Sequence, residues 1–178
     1  MLFRSQSTES AAALAAIFGW LNLFARGLGG ILSDWGHAKM GMRGRIIANT
    51  LLLFAEGIML LIFAQAKTIS TAIASLIVFS IFVQAAEGSC FGIVPYIDYP
   101  RTGSITGIVG AGGNVGAVCY SLAFRQLDYT SAYRIMGLSI LGSCFLSFFI
   151  SIPGQSKLVG FSKTKPLLPF EQATDQSI

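Results

Sequence analysis

The stretch IIANTLLLFAEGIMLLIFAQA, residues 46 to 66, decides the fold class. It carries a single charge, Glu56, and it is as long as a helix must be to cross the hydrocarbon of a bilayer, about 20 residues at roughly 1.5 Å each. Four more stretches of this kind lie outward from it, near residues 10–32, 71–97, 103–124 and 133–152. The fourth of the five is the least apolar, because glycine dilutes it, yet glycine is common in membrane helices. At 53% hydrophobic and 11% charged residues, with a mean hydropathy of +0.68, the chain departs from soluble domains, where about a quarter of residues are charged. The expectation is an all-α, polytopic helical membrane protein. Five transmembrane helices would occupy residues 10–153, after a polar N-terminal segment at 1–9 and before a disordered cytoplasmic tail at 154–178 that contains two prolines.

MLFRSQSTES is polar and the apolar run after it is too long for a signal-peptide core, so no cleavable signal is expected. The three cysteines, Cys90, Cys119 and Cys144, stand singly inside the expected spans without metal-ligand spacing and read as free buried thiols. Orientation follows from the basic residues near the span ends. Lys39, Arg43, Arg45, Arg101, Lys157, Lys163 and Lys165 fall on one side; Arg4, Lys67, Arg125 and Arg134 fall on the other. The richer side is expected in the cytoplasm, together with the C-terminus. Topology thus accounts for the net charge of +4, and no nucleic-acid-binding motif is present.

In the first span Asn22, Arg26, Gly29 and Ser33 share one helix face, while Leu21, Phe24, Leu28 and Leu32 form the opposite, lipid-compatible one. Spans two and five are the most uniformly apolar and read as peripheral, lipid-facing helices. Span three carries a polar stripe, Ser80, Gln84 and Glu87, followed by Gly88, Ser89, Gly92 and Pro95, where a helix can bend or open.

Arg26 is the first candidate for function, since an arginine deep in a span costs at least about 2.5–3.5 kcal/mol on insertion scales unless it is paired or hydrated. Two readings stay open: its planar fork binds a small planar oxyanion, or it pairs with Glu87 or Glu56 or reaches the nearby membrane edge. GSITGIVGAGGNVGA, residues 103–117, is the second candidate. Its six glycines expose bare backbone for close helix packing, sliding or ligand contact, and Asn114 offers an amide donor. No GK[ST] follows and the context is not a strand-to-helix turn, so this is no phosphate loop. The third is the loop GGILSDWGHAKMGMRGR, where Asp34, Arg43 and Arg45 can form a charge lock across a short turn. His37 in that loop has no catalytic or metal-ligating partner at useful spacing. Glu87 either accepts a proton coupled to transport or neutralises a cation. No nucleophile–base pair, metal cluster or cofactor fingerprint points to an enzyme.

FARGLGGILSD followed by KMGMRGR, then FVQAAEGSCFGIVPY, then GIVGAGGNVGA, in this order and spacing, resembles the C-terminal half of the nitrate/nitrite porter family of the major facilitator superfamily. The resemblance covers roughly residues 10–155, and GIVGAGGNVG is similar to the family's second nitrate signature. It implies that the five spans correspond to the last five of a twelve-helix fold whose two halves enclose a midplane site. It further implies that Arg26 is one of two arginines facing nitrate, that Gly110, Gly112, Gly113 and Asn114 belong to a signature helix beside the site, and that Asp34, Arg43 and Arg45 form a cytoplasmic gating loop. Proton-coupled import through the plasma membrane follows by the same resemblance, with nitrite as an alternative substrate and a single-span subunit as a possible accessory. No residues match the N-terminal half, its arginine, the first nitrate signature or the seventh span with its aromatic lid. The expectation is either a partial member or a chain that assembles with a missing half-bundle or another porter chain. The reading from a different class is a non-transporting or regulatory fragment.

Overall fold

A computed structural model describes residues 8–150 and 152. The described residues form five long helices and no strands: α1 (Thr8–Met40), α2 (Met42–Ala64), α3 (Ile69–Phe91), α4 (Thr102–Gln126) and α5 (Tyr129–Leu146). Short 3-10 turns follow at Val94–Tyr96, Tyr99–Arg101 and Ser147–Phe149. Three helical stretches, Met42–Ala64, Ile69–Tyr96 and Tyr99–Gln126, are long and apolar enough to cross a membrane. The other two helices of the expected five interrupt their apolar runs, α1 with Asn22, Arg26 and Asp34, and α5 with Thr130, Ser131 and Arg134. The expected N-terminal segment up to residue 7 and the tail from residue 154 lie outside the described residues, as do Lys157, Lys163 and Lys165.

Helix ends follow local chemistry. Thr68 caps α3 by accepting from the Thr71 amide while the Thr71 hydroxyl accepts from the Thr68 amide. Asp128 caps α5 by accepting from the Ser131 amide at 3.0 Å. Hydrogen bonds from Ser131 hold the exposed Asp128 carboxyl below its ordinary range. The segment expected as a loop after residue 33 is instead helical to Met40, because nothing in SDWGHAKM breaks a helix and Lys39 lies 3.8 Å over the Trp35 ring one turn away. The whole reversal into α2 is made at Gly41, at φ 64°, a left-handed conformation that favours glycine.

Consecutive helices run antiparallel, which makes α1 and α3 parallel neighbours, and these two pack most closely. A Cβ on Gly29 would strike the Ala85 carbonyl, and one on Gly88 would strike the Arg26 carbonyl, so backbone meets backbone at this crossing. Gly36 and Gly44 do the same between α1 and α2. The polar face of α1 is the one turned to α3, whereas Phe24, Leu28 and Leu32 are exposed, as a lipid-facing side requires.

α2 is not the peripheral helix its composition suggests. It packs against α1, α3 and α5 and buries Arg45, Asn49 and Glu56 along with Met42, Ile46, Leu52 and Leu60, while Leu51, Phe54 and Ile62 stay exposed. Uniform apolarity fails to separate a lipid-facing helix from a central one, since lipid and protein interior are equally apolar solvents. α4 shows the reverse. None of its residues is buried, Cys119 is exposed rather than buried as expected, and its ties are the neighbouring 3-10 turns and α5. An aromatic cluster anchors its end: Phe124 lies 4.7 Å from Tyr133, which in turn lies 5.0 Å from Phe63 of α2.

Gly88→Val is expected to lower stability by roughly 1–3 kcal/mol by forcing α1 and α3 apart, whereas Gly107→Ala, in open space, should leave thermal unfolding in detergent unchanged or slightly raise its midpoint. Equal midpoints for Gly88→Val and the parent would refute the crossing.

Candidate functional site

At the α1–α3 crossing the guanidinium of Arg26 forms an ion pair with the Glu87 carboxylate and lies 5.9 Å from the centroid of the Phe91 ring. Both charged side chains keep 44% of their surface exposed. Arg26 lines an open groove of about 590 Å³ together with Asn22, Gly27, Gly88 and Phe91, while Glu87 reaches it only through its pairing with Arg26. Of the partners that the sequence left open for Arg26, the fold selects Glu87. Gly88 allows this because it lets the Arg26 backbone come close, which sets Glu87, the preceding residue, beside the fork. A trigonal planar carboxylate thus occupies a planar donor at the edge of a groove that also offers the Asn22 amide.

A second cluster lies toward the Gly41 end. Arg45, only 7% exposed, reaches Asp34 at 2.6 Å, donates to Ser33 Oγ at 3.2 Å and to the Tyr96 hydroxyl at 3.4 Å, and sits 5.0 Å over the Tyr96 ring. One guanidinium therefore holds α1, α2 and the turn after α3 together. A Cβ at Gly92 would come within 3.1 Å of Arg45 Nη1, so glycine keeps the passage of the side chain clear. Arg43 stands in the first turn of α2, half-buried. His37 packs 5.3 Å from the Tyr96 ring. Burial and then the Arg45 charge hold its pKa below the ordinary 6.5, against a backbone hydrogen bond at Gly41 and the Asp34 charge.

The third candidate set is not brought to the groove. Asn114, Gly110, Gly112 and Gly113 of α4 are all exposed; the glycines have open space at their Cβ positions, and none of the four lines the Arg26 groove. Asn22, Phe91, Ser33 and Tyr96 join the two clusters from outside the site residues expected from the sequence. Asn22 was legible as part of the polar face of α1, but nothing in the sequence assigned a role to Phe91 or Tyr96, whose positions depend on where α3 ends.

No model of a protein family matches the chain, and no solved structure is significantly similar to it. Curated relatives are informative. The chain is 40% identical over 146 residues to high affinity nitrate transporter 2.5 of Arabidopsis thaliana, covering 82% of this chain and 28% of that protein. It is 40% identical over 152 residues to nitrate transporter 2.1 of Chlamydomonas reinhardtii, covering 80% and 28%. It is 39% identical over 147 residues to the nitrate/nitrite transporter NrtP of a Picosynechococcus species, covering 82% and 27%. The chain belongs to the nitrate/nitrite porter family. It spans less than a third of the length of these relatives. Its apolar helices and its place in the nitrate/nitrite porter family make it a multi-pass membrane protein.

Arg45→Ala is expected to cost about 2–4 kcal/mol, because it removes buried hydrogen bonds to two other segments and leaves a hole, and to make the Gly41 turn more sensitive to protease. A parent-like unfolding midpoint and cleavage rate would refute the tie. For His37 the folded form binds a proton less readily than the unfolded chain. Stability present at pH 7 should therefore be lost as pH falls below about 6.5, and His37→Gln should remove that portion of the loss in melting curves.

Proposed function

We propose that this chain forms the C-terminal half-bundle of a proton-coupled nitrate transporter in which Arg26 holds the anion. The observation that carries this reading is the carboxylate of Glu87 in the fork of Arg26 at the edge of an open groove. Nitrate, like a carboxylate, is a planar monoanion with oxygens on a trigonal centre, so it can take the place of Glu87 at the guanidinium and accept two parallel hydrogen bonds from it. Its binding requires Glu87 to leave or to be neutralised. A proton on Glu87 does this, and the exchange preserves the local charge: Arg⁺ with Glu⁻ becomes Arg⁺ with NO₃⁻ beside a neutral acid. In a low-dielectric site that conservation is what keeps the exchange affordable. One proton then accompanies each anion.

The relatives' names support nitrate, and the name of NrtP supports nitrite as the second substrate. Charge and planarity discriminate poorly between the two. A missing N-terminal half-bundle, or another porter chain, supplies the opposite wall and a second arginine, and the two halves rock in alternating access. The bare glycine face of α4, with Asn114, meets that partner half and completes the site. The cluster of Asp34, Arg43 and Arg45 closes the cytoplasmic side. The protein resides in the plasma membrane with its C-terminus in the cytoplasm, needs no cofactor and is not an enzyme; a single-span accessory subunit is compatible with the exposed helices.

In a complete porter carrying this half, Arg26→Lys should reduce labelled-nitrate uptake by roughly tenfold or more, since the charge remains but a charge-assisted hydrogen bond of about 1.5–3 kcal/mol is lost. Uptake at the parental rate with normal membrane expression would sink the assignment. Glu87→Gln should uncouple nitrate uptake from an imposed proton gradient in vesicles. Uptake by the variant that still follows the gradient would move the coupling proton elsewhere.

A further inference from the structure

Glu56 lies in the middle of α2, only 6% exposed, and among the described residues no hydrogen bond or ion pair reaches it. Of the arginines on the helices around it, Arg26 is already engaged by Glu87 and Arg45 by Asp34, and Arg134 of α5 is exposed. The register of its neighbours follows from two contacts. Leu52 packs on Ala85 and Ala86, and Arg45 approaches Gly92, so α2 and α3 run antiparallel with Glu56 level with Ile81 and Phe82. α1, parallel to α3, brings Ala25 and the paired Arg26 to about that height. From α5 the Cys144 thiol points to α2, donating to the Thr50 carbonyl at 3.8 Å.

Buried polar atoms with no protein partner lie along the same register: Asn49 Oδ1 of α2 and Ser80 Oγ, Gln84 Oε1 and Ser89 Oγ of α3. Asn49 and Ser89 share a level between Arg45 and Glu56, and Ser80 and Gln84 bracket the level of Glu56. The separation from Asn49 to Glu56 is seven residues, about 10 Å along the helix. In folded proteins, buried polar atoms of this kind are served by ordered water, and an unpaired carboxylate in such an interior costs far more than the neutral acid, which can itself donate a hydrogen bond.

We propose that Glu56 is a proton-binding site reached by water along Asn49, Ser89 and Gln84, and that it holds its proton while α2 and α3 pack as they do here. Opening that seam lets the O–H bond break, with the proton passing to water as hydronium and the carboxylate becoming hydrated. The site is separate from Glu87, which is half-exposed and has its own cation, and it stands whether or not the chain carries nitrate.

The test is infrared spectroscopy of the full chain in lipid vesicles at neutral pH, without nitrate. The expected result is a carboxylic-acid C=O band that shifts to lower frequency in heavy water, disappears in Glu56→Gln and persists in Glu56→Asp, with helical circular dichroism unchanged throughout. Absence of the band from the parent chain would overturn the proposal, as would its persistence in Glu56→Gln. A band that does not respond to heavy water would overturn the water path.

Discussion

A cation inside a bilayer must be given an anion or be kept wet, and this constraint organises the helices that surround Arg26 and Arg45. Each of these arginines lies on a helix–helix interface and each faces a carboxylate from another helix, Glu87 for Arg26 and Asp34 for Arg45. The two pairs are built differently. Arg45 is buried and contacts three segments through its two terminal nitrogens, whereas Arg26 and Glu87 remain half-exposed, with Arg26 lining a groove. Arg45 is therefore a buried joint whose carboxylate partner stays at the surface, whereas both members of the Arg26–Glu87 pair are half-exposed.

Close backbone approach is what allows both pairs to form. Helices that carried side chains at Gly29, Gly36, Gly44 and Gly88 would stand too far apart for Arg26 to meet Glu87 or for Arg45 to reach across to Ser33. In a membrane, where helix association gains little from burying apolar surface, contacts of this kind carry much of the packing energy. The glycines of α4 differ in that nothing lies against them.

Much of this was legible in the sequence, and the misses have definite causes. The run at 46–66 announced a membrane helix because length and apolarity suffice for that. The polar face of α1 followed from the spacing of Asn22, Arg26, Gly29 and Ser33. The helical continuation to Met40 was missed because polar residues were read as a loop, although none of them breaks a helix. The central position of α2 was missed because an apolar surface satisfies lipid and protein alike. Phe91 and Tyr96 lie within the motif FVQAAEGSCFGIVPY, but nothing in it assigned them a role, since their roles depend on where α3 stops and turns.

By itself, then, the sequence determined the all-helical membrane character, the family and the residues that could carry charge chemistry, because these rest on composition, period and motif spacing along one chain. Only the tertiary structure decided that Glu87, and not Glu56, neutralises Arg26, that Arg45 reaches Asp34, and that Glu56 is left among unpartnered polar atoms. Those outcomes depend on the rotation and register of one helix against another. They are set by backbone contacts at a few glycines, and no periodicity within a single helix records them.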